Sequence, residues 1–377
     1  MLPAALALLL QSATPPPAAS NEVLVIGQRA EKLLAACLAR DCPPAEEIEA
    51  SLQASVEQFA DGRYQDARRT LLNAIRRNRD HAAALPGPVS SHYATLATVA
   101  EHEGDVKLWL SSSRNNVLVL RRHAGADNGA TLGQELAFGD SMVGLGKPKE
   151  AARGYRDTQR KAANSGQALL AAGAAFRRAW LALHRGRDRE AERIADEAVA
   201  IAGPESPLIA DLREILRMRI AIKRGDEGAV DALAARLRQS AKEAPRLMVA
   251  SALEDINPGR LGVGRSSGIR FADVGYWIRP DGRTAEPEVL RNSGLGQWAS
   301  ALLRQVSSRR YVPLAVEPGH PGLFRIDRFT VRGTLGVSTG SRIVQRMGDL
   351  SVHIIDLTET EAMNAAHRRR TEDALRD

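Results

Sequence analysis

Five glycines frame the first two thirds of the chain. Gly62, Gly104, Gly146, Gly186 and Gly225 follow one another at intervals of 42, 42, 40 and 39 residues. Each stands in a polar turn between two stretches whose apolar residues recur at helical spacing. A recurrence of this length marks a supersecondary unit stacked on copies of itself, not one closed core. Five residues after the glycines come Ala67, Trp109, Ala151, Ala191 and Val230, and seven before them Ser55, Ala97, Gly139, Ala179 and Met218. The glycine allows the left-handed turn that ends a helix, and the small residues let two helices approach closely. Alanine, the best helix former, is abundant, and aromatics are only 4%. That is too few for a large sandwich or barrel but enough for a helical array.

The strings around three of these turns read GRYQDA, GKPKEA and GRDREA. They resemble the hairpin turn of the tetratricopeptide (TPR) repeat, over roughly residues 46–246. The resemblance implies an α-solenoid of about five TPR-like helical hairpins, and the overall fold class is α+β once the C-terminal region is included. The period exceeds the usual value of about 34, so the helices should be longer by about a turn each. Met218 departs from the small-residue pattern and Gly228 falls where the last second helix should run, so the final repeat is expected to be a degenerate cap. The resemblance also implies a concave groove, lined by the first helix of each pair, that takes a peptide. The matching positions are Ser91, Ala94, Thr98 and Glu101, then Gly133, Leu136, Asp140 and Val143, then Gly173, Phe176, Trp180 and Leu183. Thr98, Glu101, Asp140, Phe176 and Trp180 are the candidate groove residues. Phe176 and Trp180 share one helical face. They either anchor a bound segment or pack between neighbouring repeats.

After Pro245 the texture changes. DINPGRLGVGRSSG, residues 255–268, reads as a loop within a linker at 247–267. Ile269–Arg279 then alternates as a strand, Pro280-Asp281-Gly282 is a turn, and Glu288–Asn292 is a second strand. Leu295–Ser307 has helical spacing, with Trp298 expected in the core beside Ala301, Leu302 and Gln305. Phe324–Gly333 alternates again. This order, with Tyr276-Trp277-Ile278, Asp281-Gly282-Arg283, Asn292-Ser293-Gly294, Ala301-Leu302-Leu303 and Tyr311-Val312-Pro313 in it, resembles the C-terminal domain of TonB, the energy transducer. The resemblance covers about residues 268–333, and the small domain is placed at 268–357, with a charged tail at 358–377. It implies that Phe324-Arg325-Ile326-Asp327-Arg328-Phe329-Thr330-Val331 is the strand whose open edge takes an extended segment. Three features depart from the family. The usual Tyr-Pro opening is missing, a further strand, Leu350–Leu357, follows, and neither a transmembrane anchor nor a long Pro-rich linker is evident.

The N-terminal end points to export. Leu2–Leu10 is an apolar run too short to span a bilayer, and Ala18-Ala19-Ser20 offers small residues for cleavage, so residues 1–20 read as a signal peptide. No Lys or Arg precedes the run, a departure from the usual start. The expected location is periplasmic, with membrane association through an uncleaved N-terminus as the other course. Residues 21–45 form a separate segment holding the chain's two cysteines, Cys37 and Cys42, expected to form a disulfide in an oxidising compartment. Within it, Val23-Leu24-Val25-Ile26 reads as a strand ended by Gly27. It resembles the box that TonB's domain binds in TonB-dependent receptors. The plainer alternatives are a tail or a strand packed on the first repeat.

Charge and motifs narrow the function classes. The net charge of +7 is spread out, and the longest basic run is Arg368-Arg369-Arg370, so a nucleic-acid stripe is absent from the sequence. Gly264-Arg265-Ser266-Ser267-Gly268 matches G-x-S-x-G but lies between a loop and a strand, the wrong setting for a nucleophile elbow. Gly262-Val263-Gly264 has no feeding strand. His102 between Glu101 and Glu103 does not complete a zinc motif, since Val106 stands where the second histidine belongs. No catalytic residue, cofactor or metal is expected. The sequence reads as an exported, non-catalytic adaptor with a protein or peptide partner in the envelope. The alternative is an atypical TonB-family protein that engages TonB-dependent outer-membrane receptors.

Overall fold

A computed structural model describes residues 22–204, 206–253, 269–337, 340 and 344–358. The apolar run and cleavage site at 1–20, the Ser266 and Gly262-Val263-Gly264 strings, and the tail beyond Thr358 lie outside the described residues.

Eleven helices come first: α1 (Glu22–Ala39), α2 (Pro44–Ala60), α3 (Tyr64–Asn78), α4 (Pro86–Glu103), α5 (Val106–His123), α6 (Gly129–Gly144), α7 (Pro148–Asn164), α8 (Ala168–His184), α9 (Asp188–Ala202), α10 (Pro207–Lys223) and α11 (Ala229–Arg236). From α2 onward they pair into five hairpins. The turn of each hairpin holds one of the five spaced glycines, all at positive φ, between 71° and 96°. A side chain at that φ is strained, which is why the recurrence is visible in the sequence. The residues five after and seven before each glycine turn inward. Ala67, Ala151, Ala179, Ala191 and Ser55 are fully buried, and a Cβ on Gly139 would lie 2.3 Å from Cε1 of Tyr155. Between α8 and α9, Ala172, Ala175 and Ala179 pack on Ala191, Ala195 and Ala198. Paired alanine faces bring the two backbones close, and this packing uses the alanine that the composition supplies. The last second helix, α11, has only 8 residues, and Gly228 precedes it as its cap instead of lying inside it.

One expectation fails at the N-terminus. Val23–Ile26 is not a strand: it lies within the first turns of α1. Four aliphatic residues in a row fit either state, and the helix formers after them, AEKLLAACLA, decide for a helix that continues through. Cys37 and Cys42 are joined by a disulfide across the α1–α2 turn, with Cα atoms 5.1 Å apart. Asp41 there takes a left-handed φ of 49°. So small a loop restrains little of the unfolded chain. Reduction should therefore cost at most about 2 kcal/mol in urea unfolding; a larger loss would mean that the bond orders more than this turn.

Helix α1 covers Glu57 of α2, and burial pushes that carboxyl up to about 7, with Asp61 and Glu31 adding to the rise and bonds from Gln53 and the Ala30 backbone opposing it. Its Oε2 is buried without a partner among the described residues. Below pH 4.5 the group is neutral in both folded and unfolded chains. As pH rises toward 7 the unfolded chain ionises freely while the folded one resists, so this site's contribution to stability is lost over that interval. Glu57→Gln should thus stabilise the protein by roughly 2–3 kcal/mol at pH 8 and leave it unchanged at pH 4. Equal effects at the two pH values would show that ionisation of Glu57 carries no cost.

After α11 the chain forms β1 (Gln239–Ser240), β2 (Leu247–Val249), β3 (Arg270–Ile278), β4 (Thr284–Ser293), α12 (Ala299–Ser307), β5 (Arg310–Tyr311), β6 (Leu314–Ala315), β7 (Leu323–Val337) and β8 (Val344–Asp356). Strand, turn, strand, helix and strand follow in the expected order. Residues 247–249, read as linker, instead pair as β2 with β5, and β1 pairs with β6. The remaining strands form an antiparallel sheet in the order β4-β3-β7-β8. One face packs on α12 through Ala272, Val274, Tyr276, Phe329 and Leu302, all fully buried, with Trp298 partly buried against them.

This order overturns a second expectation. Phe324–Val331 is not an open edge along its length: β7 pairs with β3 over Leu323–Val331 on one side and with β8 over Asp327–Val337 on the other, so Asp327–Val331 is covered on both sides. The edges are β4 and β8. Strand β4 is blunted by Pro287, by Glu286 at a φ of 51°, and by register breaks against β3. Such features discourage strand addition.

Candidate functional site

The first helices of the hairpins hold all five candidate groove residues, but the structure does not bring the five together. Thr98 and Glu101 of α4 line a cleft of about 190 Å³ between hairpins two and three, with Ala94, Ala97, Trp109, Ser113, Asn116, Gln134, Ala137, Phe138 and Ser141. Asp140 of α6 lies outside that lining. It accepts from Arg177 Nε at 2.9 Å and from the Tyr155 hydroxyl at 2.6 Å, and so ties α6 to α7 and α8. Burial, then Asp140, raise the Tyr155 phenol and keep it protonated. Phe176 and Trp180, with ring centroids 6.2 Å apart, pack partly buried on the core formed by alanines of α8 and α9 with Ile209, Leu216 and Ile220 of α10. The Arg219 guanidinium lies 4.6 Å from the Trp180 ring. They therefore serve the packing between repeats.

The C-terminal sheet uses its second face on the helical array. Arg328 of β7 is fully buried. Its Nε donates to Asp273 Oδ1 at 2.7 Å and its NH2 to Oδ2 at 2.9 Å, a bidentate pair. The same guanidinium donates to the carbonyls of Phe59 and Ala60, at the end of α2. Arg291 of β4 repeats this, reaching Asp273 and Ala60 O at 2.6 Å each. The carbonyls that end a helix carry partial negative charge and lack helical donors, which suits them to cations. Phe271, Phe59 and Tyr64 enclose the guanidinium, Phe271 at 4.1 Å. Phe271 also packs on Gly62, where a Cβ would meet its ring at 2.7 Å. One turn glycine therefore serves both the hairpin and the docking. Farther along, His102 of α4 bonds Thr330 at 2.6 Å, and His353 of β8 donates to Glu101 at 3.0 Å.

A second junction lies at the far end of the array. Gln239 N donates to Pro313 O and Val312 N to Arg246 O, both at 2.9 Å. Arg246 pairs with Asp211 of α10 at 2.7 Å, and Arg219 donates to Met248 O at 2.8 Å. Met248 and Val312 are fully buried among Ile215, Met218 and Leu233. The string Tyr311-Val312-Pro313 thus joins the small domain to hairpin five, while β3, β7 and β8 join it to hairpins one and two.

Two buried polar groupings have the look of chemistry. Within the small domain, the Tyr276 hydroxyl meets the Tyr311 hydroxyl at 2.9 Å and Asp327 at 3.0 Å, and Arg309 donates to all three groups. Burial and then Asp327 push the Tyr276 phenol far up. Burial opposes the charge on Arg309, but Tyr276, Tyr311 and Asp327 outweigh it and raise its pKa. The donors and acceptors satisfy one another, as a structural network requires. In hairpins one and two, Ser51 Oγ lies 2.8 Å from His92 Nε2. Both residues are fully buried, and burial pulls the imidazole down to about 4. A nucleophile without access to substrate has nothing to attack.

The sequence reading missed Asn116, Trp109 and Phe138 as cleft residues, because it confined the groove to chosen positions on first helices. Asn116 and Trp109 belong to α5, a second helix. A signal was present: Asn116 interrupts the inward stripe of Trp109, Ser113, Val117 and Leu120, where an apolar residue would be ordinary.

No family model and no curated protein matches the chain. Among solved structures, it is similar to the putative kinesin light chain of Podosopora anserina with nearly identical TPR-like repeats. That likeness is 13% identical, covers 51% of this chain and 93% of that one, and has a TM-score of 0.40. It is also similar to BtubC (BKLC) from P. vanneervenii, again 13% identical, over 59% of this chain and 90% of that one, with a TM-score of 0.44.

Proposed function

We propose that the protein is a non-catalytic interaction scaffold of the bacterial cell envelope, holding a segment of a protein partner against the first helices of its TPR-like array. The observation that carries this reading is the cleft between hairpins two and three, walled by α4, α5 and α6. The small domain, which we read as a TonB-like module turned to structural use, is fastened on hairpins one, two and five. Export rests on Leu2–Leu10 and its small-residue cleavage site, and the disulfide between Cys37 and Cys42 fits an oxidising compartment. The inaccessible Ser51–His92 pair supports a role without catalysis.

A photo-crosslinking residue at Thr98, compared with one at exposed Arg160 on α7, tests both parts in living cells. The expected result is a partner adduct from position 98 alone, recovered in the periplasmic fraction. Adducts of equal strength from both positions would contradict the groove, and recovery with the cytosol would contradict the location.

A further inference from the structure

The α4–α6 cleft sets a buried acceptor beside a carboxylate and two aromatic walls. Asn116 is 5% exposed. Its Nδ2 donates to Gln134 Oε1 at 2.6 Å, while its Oδ1 is buried and has no partner among the described residues. An unpaired buried acceptor costs free energy unless something comes to fill it. Two of the three hydroxyls that line the cleft spend their protons on their own helices. Thr98 donates to Ala94 O at 3.4 Å and Ser141 to Ala137 O at 3.2 Å, each back to its own helix, so their oxygens face the cleft as acceptors. Glu101 adds a carboxylate, which accepts from His353 through Oε1. Ala94, Ala97 and Ala137 leave room, and Trp109 and Phe138 supply flat apolar walls.

From this we infer that the cleft between hairpins two and three receives an arginine side chain from the partner's bound segment. The inference rests on the groove reading above and names its chemistry. A guanidinium carries five donors and no acceptor, matching the buried Asn116 Oδ1 and the Glu101 carboxylate. Its planar face stacks on aromatic rings, which a lysine ammonium does less well. The carboxylate of Glu101 supplies the complementary charge.

Display of random dodecapeptides against the intact protein tests this, with Glu101→Gln and Ala137→Trp as comparison targets. Glu101 is partly exposed and Ala137 exposed, and Glu101→Gln keeps an amide oxygen that can accept from His353, so neither change disturbs the fold. The expected result is enrichment of clones sharing an arginine. Their binding should fall roughly five- to tenfold on Glu101→Gln, the loss of one charge-assisted contact, and disappear on Ala137→Trp, which fills the cleft mouth. Clones that depend on Ala137 but show no preference for arginine, or enrich lysine equally, would overturn the guanidinium assignment and leave the groove reading standing. An absence of any clone sensitive to Ala137→Trp would overturn both.

Discussion

Replacing Arg328 by methionine is expected to destabilise the protein by about 3–5 kcal/mol, the range for removing one partner of a buried ion pair. Methionine keeps an apolar stem between Phe271, Phe59 and Tyr64, so most of the loss is electrostatic. Asp273 would retain only Arg291 of the two arginines that now hold it, and Phe59 O at the end of α2 would lose its cation. Because the guanidinium spans two parts of the fold, the damage should appear on both sides. Amide exchange should accelerate along β7 and in the α2–α3 turn, while α8 and α9 keep their protection. A loss under about 1 kcal/mol, the size of a surface pair, would mean that water already reaches the site.

Arg309→Met is expected to cost a similar amount, about 3–5 kcal/mol, but confined to the small domain. Arg309 is the cation closest to buried Asp327; Arg325 stands at 3.7 Å. Without Arg309, the Asp327 carboxylate keeps the Tyr276 hydroxyl as its neutral donor. The sheet should lose its fixed packing on α12, seen as lost near-ultraviolet dichroism from Tyr276 and Tyr311. Exchange in hairpins three and four should not change. Unfolding of the whole chain at the same denaturant concentration as the wild type would show that the network contributes nothing net.

Much of the helical half was legible because its rules are local. A left-handed turn demands glycine, a close helix crossing demands a small side chain, and both leave marks at fixed positions. The succession of strand, turn, strand, helix and strand in the small domain was legible for the same reason: Pro280-Asp281-Gly282 is a turn whatever surrounds it. The role of β7 was not. Phe324–Gly333 read as an alternating strand with an open edge, and charged residues such as its Asp327 and Arg328 ordinarily mark solvent. Here both faces are buried, and Asp327 and Arg328 point to opposite sides into separate networks. Burial of a charge depends on a partner distant in the chain, Arg309 in one case and Asp273 with the end of α2 in the other. No local pattern announces such a partner. The same limit hid Asn116, whose inward position could be read but whose unpaired oxygen could not. At Val23–Ile26 the local signal was ambiguous and the longer run of helix formers decided it.

The small domain is fastened to the helical array as one body with the groove, not carried on a swinging linker. The most direct test is the distance distribution between spin labels at Arg69 on α3 and Ser307 on α12, measured by pulsed electron resonance in the otherwise intact protein. The account predicts one narrow peak that broadens on Arg328→Met. A distribution already broad in the parent protein, unchanged by that substitution, would contradict it.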